Sequence, residues 1–188
     1  VGVDLQNFQV ALKYPMREDP DVVLVGEMRD EETFMAALNA AETGHLVFGT
    51  IHASGAAQTI GRVLDLISEG SRDLVRQTMV FNLQAIVCQK LLPSIKPGVH
   101  RVPAVEIMFA SPTIRKLIDE KRDDEIAKVI RASQNEGMLD MNECLKRLVE
   151  SEFIETDVAY SASPNPQELK MRLKGIDSGG SGGGILGG

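Results

Sequence analysis

Two side chains suited to phosphate chemistry follow directly after short apolar runs that predict β-strands. Glu27 ends the run DVVLVGE at residues 21–27, and His52 follows the run HLVFGT at residues 45–50. Ligands of open α/β sheets bind beyond the carboxyl ends of the strands, so both side chains would face one crevice if the strands are neighbours. A carboxylate there can orient the water that attacks a terminal phosphate, and an imidazole can donate to the phosphate oxygens as charge develops.

Glu27 and a further candidate, His45, also have simpler interpretations. On pattern alone, an acid in the turn after a strand is the more frequent explanation of Glu27. His45 follows Gly44 and suits the negative end of a helix dipole, so a structural role and a ligand-binding role stay equally open. The sequence has neither HExxH nor CxxC spacing, which argues against a zinc site built by the chain.

The elements that must position Glu27 and His52 form a predicted strand, helix and strand. The first strand carries four consecutive apolar residues bounded by proline and glycine, the pattern of a strand buried on both faces of a parallel sheet. Asp30 suits the N-cap of the helix that follows, and Gly44 ends that helix. The second strand is predicted to be buried as well, so the unit is a βαβ crossover.

Further along, the pattern predicts the rest of an α/β core and then a small helical domain. Apolar spacing indicates helices over residues 60–67 and 74–87, and a strand over 102–109 is expected to close the sheet. Short helices are predicted around residues 114–118, 125–132, 141–149 and 166–173, the first of them begun by the pair Ser111 and Pro112. We therefore expect an α/β domain at 1–110, a helical domain at 111–176 and a disordered glycine- and serine-rich tail at 177–188.

Composition disfavours several classes of function. The 188 residues include 20 Lys and Arg against 27 Asp and Glu, and the net charge of −7 provides no broad surface for nucleic acid or anionic lipid. No apolar run approaches the roughly 18 residues of a membrane span, and the first residues lack the layout of a signal peptide. Cys88 and Cys144 lie far apart within apolar patterns, which favours buried thiols in a reducing compartment. We expect a cytoplasmic protein with no membrane insertion and no nucleic-acid partner.

Two longer runs carry a resemblance to a known family. Residues 17–30, REDPDVVLVGEMRD, resemble the atypical Walker B motif of the secretion and pilus motor ATPases, in which Gly26 replaces the usual aspartate and Glu27 supplies the acid. Residues 40–53, AAETGHLVFGTIHA, resemble the His box of that family, with His45 and His52 in the two histidine positions. The spacing of the two motifs is also that of the family, which raises Glu27 and His52 above their simpler interpretations.

Within this family the chain most resembles the type IV pilus retraction ATPases. Residues 113–120, TIRKLIDE, look like the short C-terminal signature of that branch, although Asp119 stands in place of an arginine. Assembly and type II secretion relatives commonly carry a four-cysteine zinc insert after the position of Leu92, where this chain has a short turn at residues 93–98. The alternatives that stay open are a pilus assembly or type II secretion ATPase, a non-catalytic accessory paralogue of the retraction motor, and a plain structural α/β domain.

The resemblance implies a partial RecA-like P-loop core followed by the helical domain, in a protomer that forms a homo-hexamer. It implies that the intact protein hydrolyses ATP with Mg²⁺ to drive pilus retraction and twitching motility, peripheral to the inner membrane and with a platform protein there as partner. It assigns water activation and a water-mediated contact with Mg²⁺ to Glu27, recognition of the γ-phosphate to His52, and the nucleotide or inter-subunit site to His45 and Arg17. The chain opens with Val1 and contains no GxxxxGK[ST] sequence, so we expect a fragment that is inactive alone.

Overall fold

The computed structural model describes residues 20–176, so Arg17 and the predicted tail at 177–188 lie outside the described residues. Within 20–176 the chain forms strands and helices of an α/β protein. In chain order these are β1 (Val22–Val25), α1 (Glu31–Glu42), β2 (Leu46–Gly49), α2 (Ala56–Leu66), α3 (Arg72–Asn82), β3 (Ala85–Pro93), β4 (Arg101–Phe109), α4 (Pro112–Asp119), α5 (Ile126–Ala132), α6 (Met141–Glu150), α7 (Thr156–Ala162) and α8 (Pro166–Leu173).

The described residues divide into two compact units. The first comprises residues 20–86 and 108–132, and the second comprises 87–107 and 133–176. This division differs from the predicted boundary after residue 110, because α4 and α5 pack with the first unit, whereas most of β3 and β4 belongs with the last three helices. No helix within residues 20–176 has both the length and the apolar character needed to cross a membrane.

The predicted strand, helix and strand are present in the first unit. β1 and β2 pair in parallel, with Val22 opposite Leu46 and Val25 opposite Gly49. α1 begins after Asp30, whose carboxylate accepts a 2.8 Å hydrogen bond from the Thr33 amide, as the N-cap prediction requires. This βαβ arrangement brings the carboxyl ends of β1 and β2 to the same edge.

β1 is buried on one face only, so the prediction of a strand buried on both faces was wrong. Val23 and Val25 are 9% and 1% exposed and pack with Ala37 of α1. Successive strand residues point to opposite faces, so a helix on one face covers only alternate side chains. β2 is not buried as predicted either, and the uncovered apolar side chains of the two strands are Val22, Leu24, Leu46 and Phe48.

Helices α2 to α5 complete the first unit around buried apolar faces and two arginine clamps. Arg76 of α3 is 9% exposed and binds both carboxylate oxygens of Asp123, at 2.7 and 2.8 Å. Arg115 of α4 donates to the carbonyl oxygens of Val80 and Leu83, the latter at 2.8 Å, and so satisfies carbonyl groups at the end of α3. Arg115 belongs to the TIRKLIDE run, and its contact with the end of α3 is a structural role.

α3 ends at Asn82, which contradicts the helix predicted through residue 87. β3 begins at Ala85 and pairs with β4 in a separate two-stranded sheet, so the prediction that residues 102–109 close the first sheet was also wrong. The Ser94 amide donates to the His100 carbonyl near the turn, and the Ala110 amide donates to the Gln84 carbonyl at the far end of the pair. The two strands are therefore antiparallel. A connection of only a few residues permits a hairpin, whereas a parallel crossover needs a dozen or more.

The second unit packs α6, α7 and α8 against the hairpin. Its core includes the fully buried side chains Leu145, Ile154 and Leu169. The positions of α6 and α8 match the predicted helices over 141–149 and 166–173, whereas α7 was missed. Arg172 of α8 is 9% exposed and donates to both carboxylate oxygens of Asp140, at 3.1 and 3.0 Å. Burial disfavours the charged form of Arg172, but the hydrogen bonds and charges of its carboxylate partners outweigh that and raise its pKa.

Candidate functional site

Glu27 and His52 meet just beyond the carboxyl ends of the two parallel strands. Glu27 follows β1, His52 follows β2, and Nε2 of His52 lies 3.2 Å from Oε1 of Glu27. A carboxylate oxygen only accepts, so Nε2 carries the hydrogen in this contact. The structure therefore places side by side the two residues that the strand pattern directed to one crevice.

The loop after β1 is anchored to the end of β2 by the backbone. The Met28 amide donates to the Thr50 carbonyl at 2.9 Å, and the Thr50 hydroxyl donates to the carbonyl of Gly26. These two bonds flank Glu27 on both sides in the chain. The carboxylate of Glu27 therefore stands on a fixed backbone, which is what an orienting group needs.

Arg29 is a third member of the site and was not among the predicted site residues. Its Nε lies 2.6 Å from Oε1 of Glu27, the same oxygen that His52 contacts. The hydrogen bond from Arg29 is the main cause that lowers the pKa of Glu27, and His52 adds to it. Glu27 is therefore a carboxylate at neutral pH. The Arg29 side chain is 76% exposed, so the ion pair sets geometry and charge and contributes little to stability.

Glu31 provides a second anchor for the segment that carries Glu27 and Arg29. Its carboxylate accepts from both the amide and the hydroxyl of Ser68, each at 3.0 Å. This contact ties the first turn of α1 to the segment between α2 and α3. No local pattern of residues indicates this contact, because the partners lie far apart in the chain. The contact between Arg29 and Glu27 is weakly indicated by the sequence, because a cation lies two residues from an acid in a loop between a strand and a helix.

His45 lies at the opposite end of β2 from His52 and has a local environment of its own. Its Nδ1 lies 3.1 Å from the Ala40 carbonyl oxygen and 3.1 Å from the Thr43 hydroxyl. A carbonyl oxygen only accepts, so Nδ1 carries a hydrogen and donates to the end of α1. This is the structural arrangement that the sequence left open for a histidine after Gly44. The structure does not join His45 to the pair formed by Glu27 and His52.

A magnesium ion could be held only in part by the described residues. Within residues 20–176 there is no group of three or more His, Cys, Asp or Glu side chains that could enclose a metal. Mg²⁺ keeps several water ligands and binds through one or two carboxylates together with substrate phosphates, so a single acid reached through water fits its chemistry. Glu27 could serve as that acid, since its side chain is 30% exposed, whereas Asp30 is already engaged as a helix cap.

Comparison with known proteins places the chain in a family. The profile of the family described as Type II/IV secretion system protein matches residues 3–157. The chain belongs to this family. The match covers β1, β2 and the pair formed by Glu27 and His52, so the candidate site lies inside the matched region.

Two similar relatives of this chain are named for type IV pilus retraction and for twitching motility. The chain is 44% identical to the type IV pilus retraction ATPase PilT of Pseudomonas aeruginosa over 169 residues, covering 88% of this chain and 48% of that protein. It is 42% identical to the twitching motility protein of Neisseria gonorrhoeae over 165 residues, covering 88% of this chain and 44% of the relative. The chain therefore spans about half the length of the curated relatives it matches.

A solved structure of a pilus motor has the same fold. The crystal structure of the pilus retraction motor PilT with bound ADP aligns with a TM-score of 0.79 and 42% sequence identity, covering 90% of this chain and 47% of the other. This agreement supports an α/β fold of the PilT kind for the described residues. A relative with bound ADP is also the reason to consider a nucleotide as the ligand of the candidate site.

Proposed function

We propose that this chain is the C-terminal part of an ATPase that hydrolyses ATP to drive type IV pilus retraction and twitching motility. The observation that carries the proposal is the contact between Glu27 and His52 beyond the ends of two parallel strands. Oε1 of Glu27 accepts from Nε2 of His52 at 3.2 Å. This edge is where α/β proteins bind nucleotides. The similarity to PilT over 88% of the chain supports the assignment of a motor ATPase.

Glu27 would orient the water that attacks the terminal phosphate. Both contacts to its side chain go to Oε1, which leaves Oε2 as the oxygen that can accept a hydrogen bond from water. The lowered pKa of Glu27 keeps this oxygen an acceptor at neutral pH. Phosphoryl transfer needs positioning and electrostatic stabilisation more than covalent chemistry, so an oriented carboxylate on a fixed loop suits it.

His52 would recognise the γ-phosphate while it holds Glu27 in place. Its side chain is 88% exposed, so the ring can approach a ligand at the strand ends. We propose that His45 and Arg17 belong to the nucleotide or inter-subunit site of the assembled protein, as the resemblance implies. Mg²⁺ would supply charge neutralisation between phosphate groups, and Glu27 would reach it through water.

The rest of the motor would come from the preceding half of an intact protein. We propose a RecA-like core that continues upstream with the P-loop, a homo-hexamer as the working assembly, and a cytoplasmic position at the inner membrane against a platform protein. Helices α6 to α8, together with most of the β3–β4 hairpin, would form the C-terminal unit of this protomer. The 188 residues alone would not hydrolyse ATP, because the phosphate-cradling amides and lysine of a P-loop would be missing.

A second candidate is a pilus assembly or type II secretion ATPase, and a third is a non-catalytic accessory paralogue. Asp119, which replaces an arginine of the retraction signature, is the observation that keeps them open, and it lies exposed in the last turn of α4. Deletion of the gene separates the candidates. Loss of twitching with pili retained indicates retraction, loss of pili or of secretion indicates the second candidate, and full complementation by Glu27→Gln indicates a non-catalytic subunit.

The test of the proposed function is complementation of the deletion strain. The wild-type gene should restore twitching zones, and Glu27→Gln should leave the strain piliated and non-twitching at equal protein level. Glu42→Gln is the matched control, because Glu42 is an exposed glutamate at the other end of α1. Restoration of twitching by Glu27→Gln would rule out hydrolysis at this site as the source of movement.

A further inference from the structure

Arg29 presents unused hydrogen-bond donors beside the carboxylate of Glu27. It holds Oε1 of Glu27 through Nε at 2.6 Å. Among the hydrogen bonds within residues 20–176, none involves the two terminal nitrogens of Arg29, and 76% of the side chain is exposed. A guanidinium carries five N–H donors in a planar fork. One edge of this fork is therefore fixed by Glu27 while the other edge faces solvent at the candidate site.

The backbone on both sides of Arg29 is held in place. The Met28 amide is bonded to the Thr50 carbonyl at 2.9 Å, and Asp30 caps α1 by accepting from the Thr33 amide. With its main chain fixed and its Nε already bound, the Arg29 side chain has less freedom left to lose when it binds a ligand. The exposed edge of the guanidinium is thus partly preorganised.

The geometry of that edge selects an anion with two oxygens. The terminal amino groups of a guanidinium match two oxygens of a phosphate in a bidentate contact, which a lysine cannot reproduce. The neighbouring carboxylate of Glu27 would repel an anion, but its charge is offset by the Arg29 cation that it binds. A phosphate bound to Arg29 would lie beside the oxygen that orients water.

We propose that Arg29 bridges Glu27 and the terminal phosphate of the nucleotide, with Nε on the carboxylate and Nη1 and Nη2 on the phosphate oxygens. This inference rests on the proposed hydrolysis of ATP. A single guanidinium then sets the distance between the water-orienting carboxylate and the phosphorus under attack. It also offsets the charge that develops on the phosphate oxygens in the transition state.

The test compares Arg29→Lys and Arg29→Gln with Arg101→Lys and Arg101→Gln in the intact protein. Arg101 is the matched control because it is an exposed arginine of β4, outside the candidate site. Lysine keeps the charge and removes the fork. Both Arg29 variants should lower kcat about 10²-fold, as removal of a preorganised donor does. The Arg101 variants should keep the wild-type rate.

Binding measurements distinguish the phosphate contact from simple positioning of Glu27. We expect the Arg29 variants to bind a non-hydrolysable ATP analogue about 10-fold more weakly, since charge-assisted bonds to the terminal phosphate are lost. Their affinity for ADP, which lacks that phosphate, should not change. A lower kcat with an unchanged ratio of analogue affinity to ADP affinity would overturn the bridge and leave Arg29 a positioning residue.

A parallel measurement on Glu27→Gln separates this inference from the function on which it rests. If Glu27→Gln loses turnover while the Arg29 variants match the Arg101 controls, the bridge is refuted and the proposed function stands. If Glu27→Gln hydrolyses ATP at the wild-type rate, the proposed function itself is refuted. Melting temperatures of the variants should agree with that of the wild type, because the Arg29 side chain is largely exposed.

Discussion

The imidazole of His52 donates through Nε2 to Oε1 of Glu27 at 3.2 Å, across the ends of two neighbouring parallel strands. This contact predicts that the two residues act as one unit. His52→Ala and Glu27→Gln should each lower the ATPase rate of the intact protein, and the double variant should be little slower than Glu27→Gln alone. Steady-state phosphate release measures the three rates. Fully additive losses in activation free energy would show that the two side chains act independently.

The N-cap of α1 predicts a pH-dependent contribution to stability. The Thr33 amide donates to Asp30 and lowers the pKa of that carboxyl below its usual 3.8. A lowered folded-state pKa stabilises the fold above the unfolded value, so the contribution is complete above roughly pH 5 and is lost as the pH falls through the folded pKa. Asp30→Ser should keep the cap and lose this acid dependence of the melting temperature.

Asp30→Ala is the companion variant for this cap. It removes the acceptor entirely, so its melting temperature should be lower than that of Asp30→Ser at neutral pH. Equal melting temperatures for the two variants would show that the cap does not stabilise α1. If the melting temperature of Asp30→Ser falls at acid pH as much as that of the wild type, other carboxylates cause this pH dependence.

The contacts of Arg172 predict that its substitution strongly destabilises the second unit. Besides its contacts with Asp140, its Nη2 lies 2.5 Å from Oε1 of Glu168, and the side chain is 9% exposed. Arg172→Ala leaves buried carboxylates without their cation, so the free energy of unfolding should fall by on the order of 3 kcal/mol. Urea denaturation followed by circular dichroism measures this. Lys170→Ala, an exposed change on the same helix, should cost less than about 0.5 kcal/mol.

The burial of Cys144 predicts that its thiol is protected from reagents in solution. The side chain is 7% exposed, its sulfur accepts from the Val105 amide at 3.2 Å, and burial raises the pKa of the thiol. A raised pKa and a buried sulfur both slow attack on disulfide reagents, because the thiolate is the nucleophile. In a Cys88→Ser variant, native protein should react slowly with Ellman's reagent at pH 7.5 and rapidly in denaturant. Fast reaction in the native state would contradict the packing of the second unit.

The sequence predicted those features of the fold that depend on local signals. The turn after β1, the N-cap at Asp30 and the pair Ser111 and Pro112 at the start of α4 all rest on residue types within a few positions of one another. The strand ends then placed Glu27 and His52 at one edge, because parallel neighbours share the direction of the chain. That prediction needed only the order and direction of the two strands.

The failures occurred where distant contacts decide the outcome. Residues 83–87 are apolar enough for a helix or a strand, and the pairing of β3 with β4 decides for the strand. The exposed face of β1 could not be predicted either, since a four-residue apolar run does not show which faces are covered. Arg29 was missed because its contact with Glu27 depends on side-chain geometry, which sequence spacing leaves open.

The most direct test of the account is the steady-state ATPase rate of the intact protein with Glu27→Gln. The substitution keeps the size of the side chain and removes the charge that would orient water. With Glu42→Gln as control, we expect kcat to fall by about 10²-fold or more in Glu27→Gln and to remain unchanged in the control. A Glu27→Gln protein that is folded and hydrolyses ATP at the wild-type rate would contradict the assignment of this carboxylate and the motor function built on it.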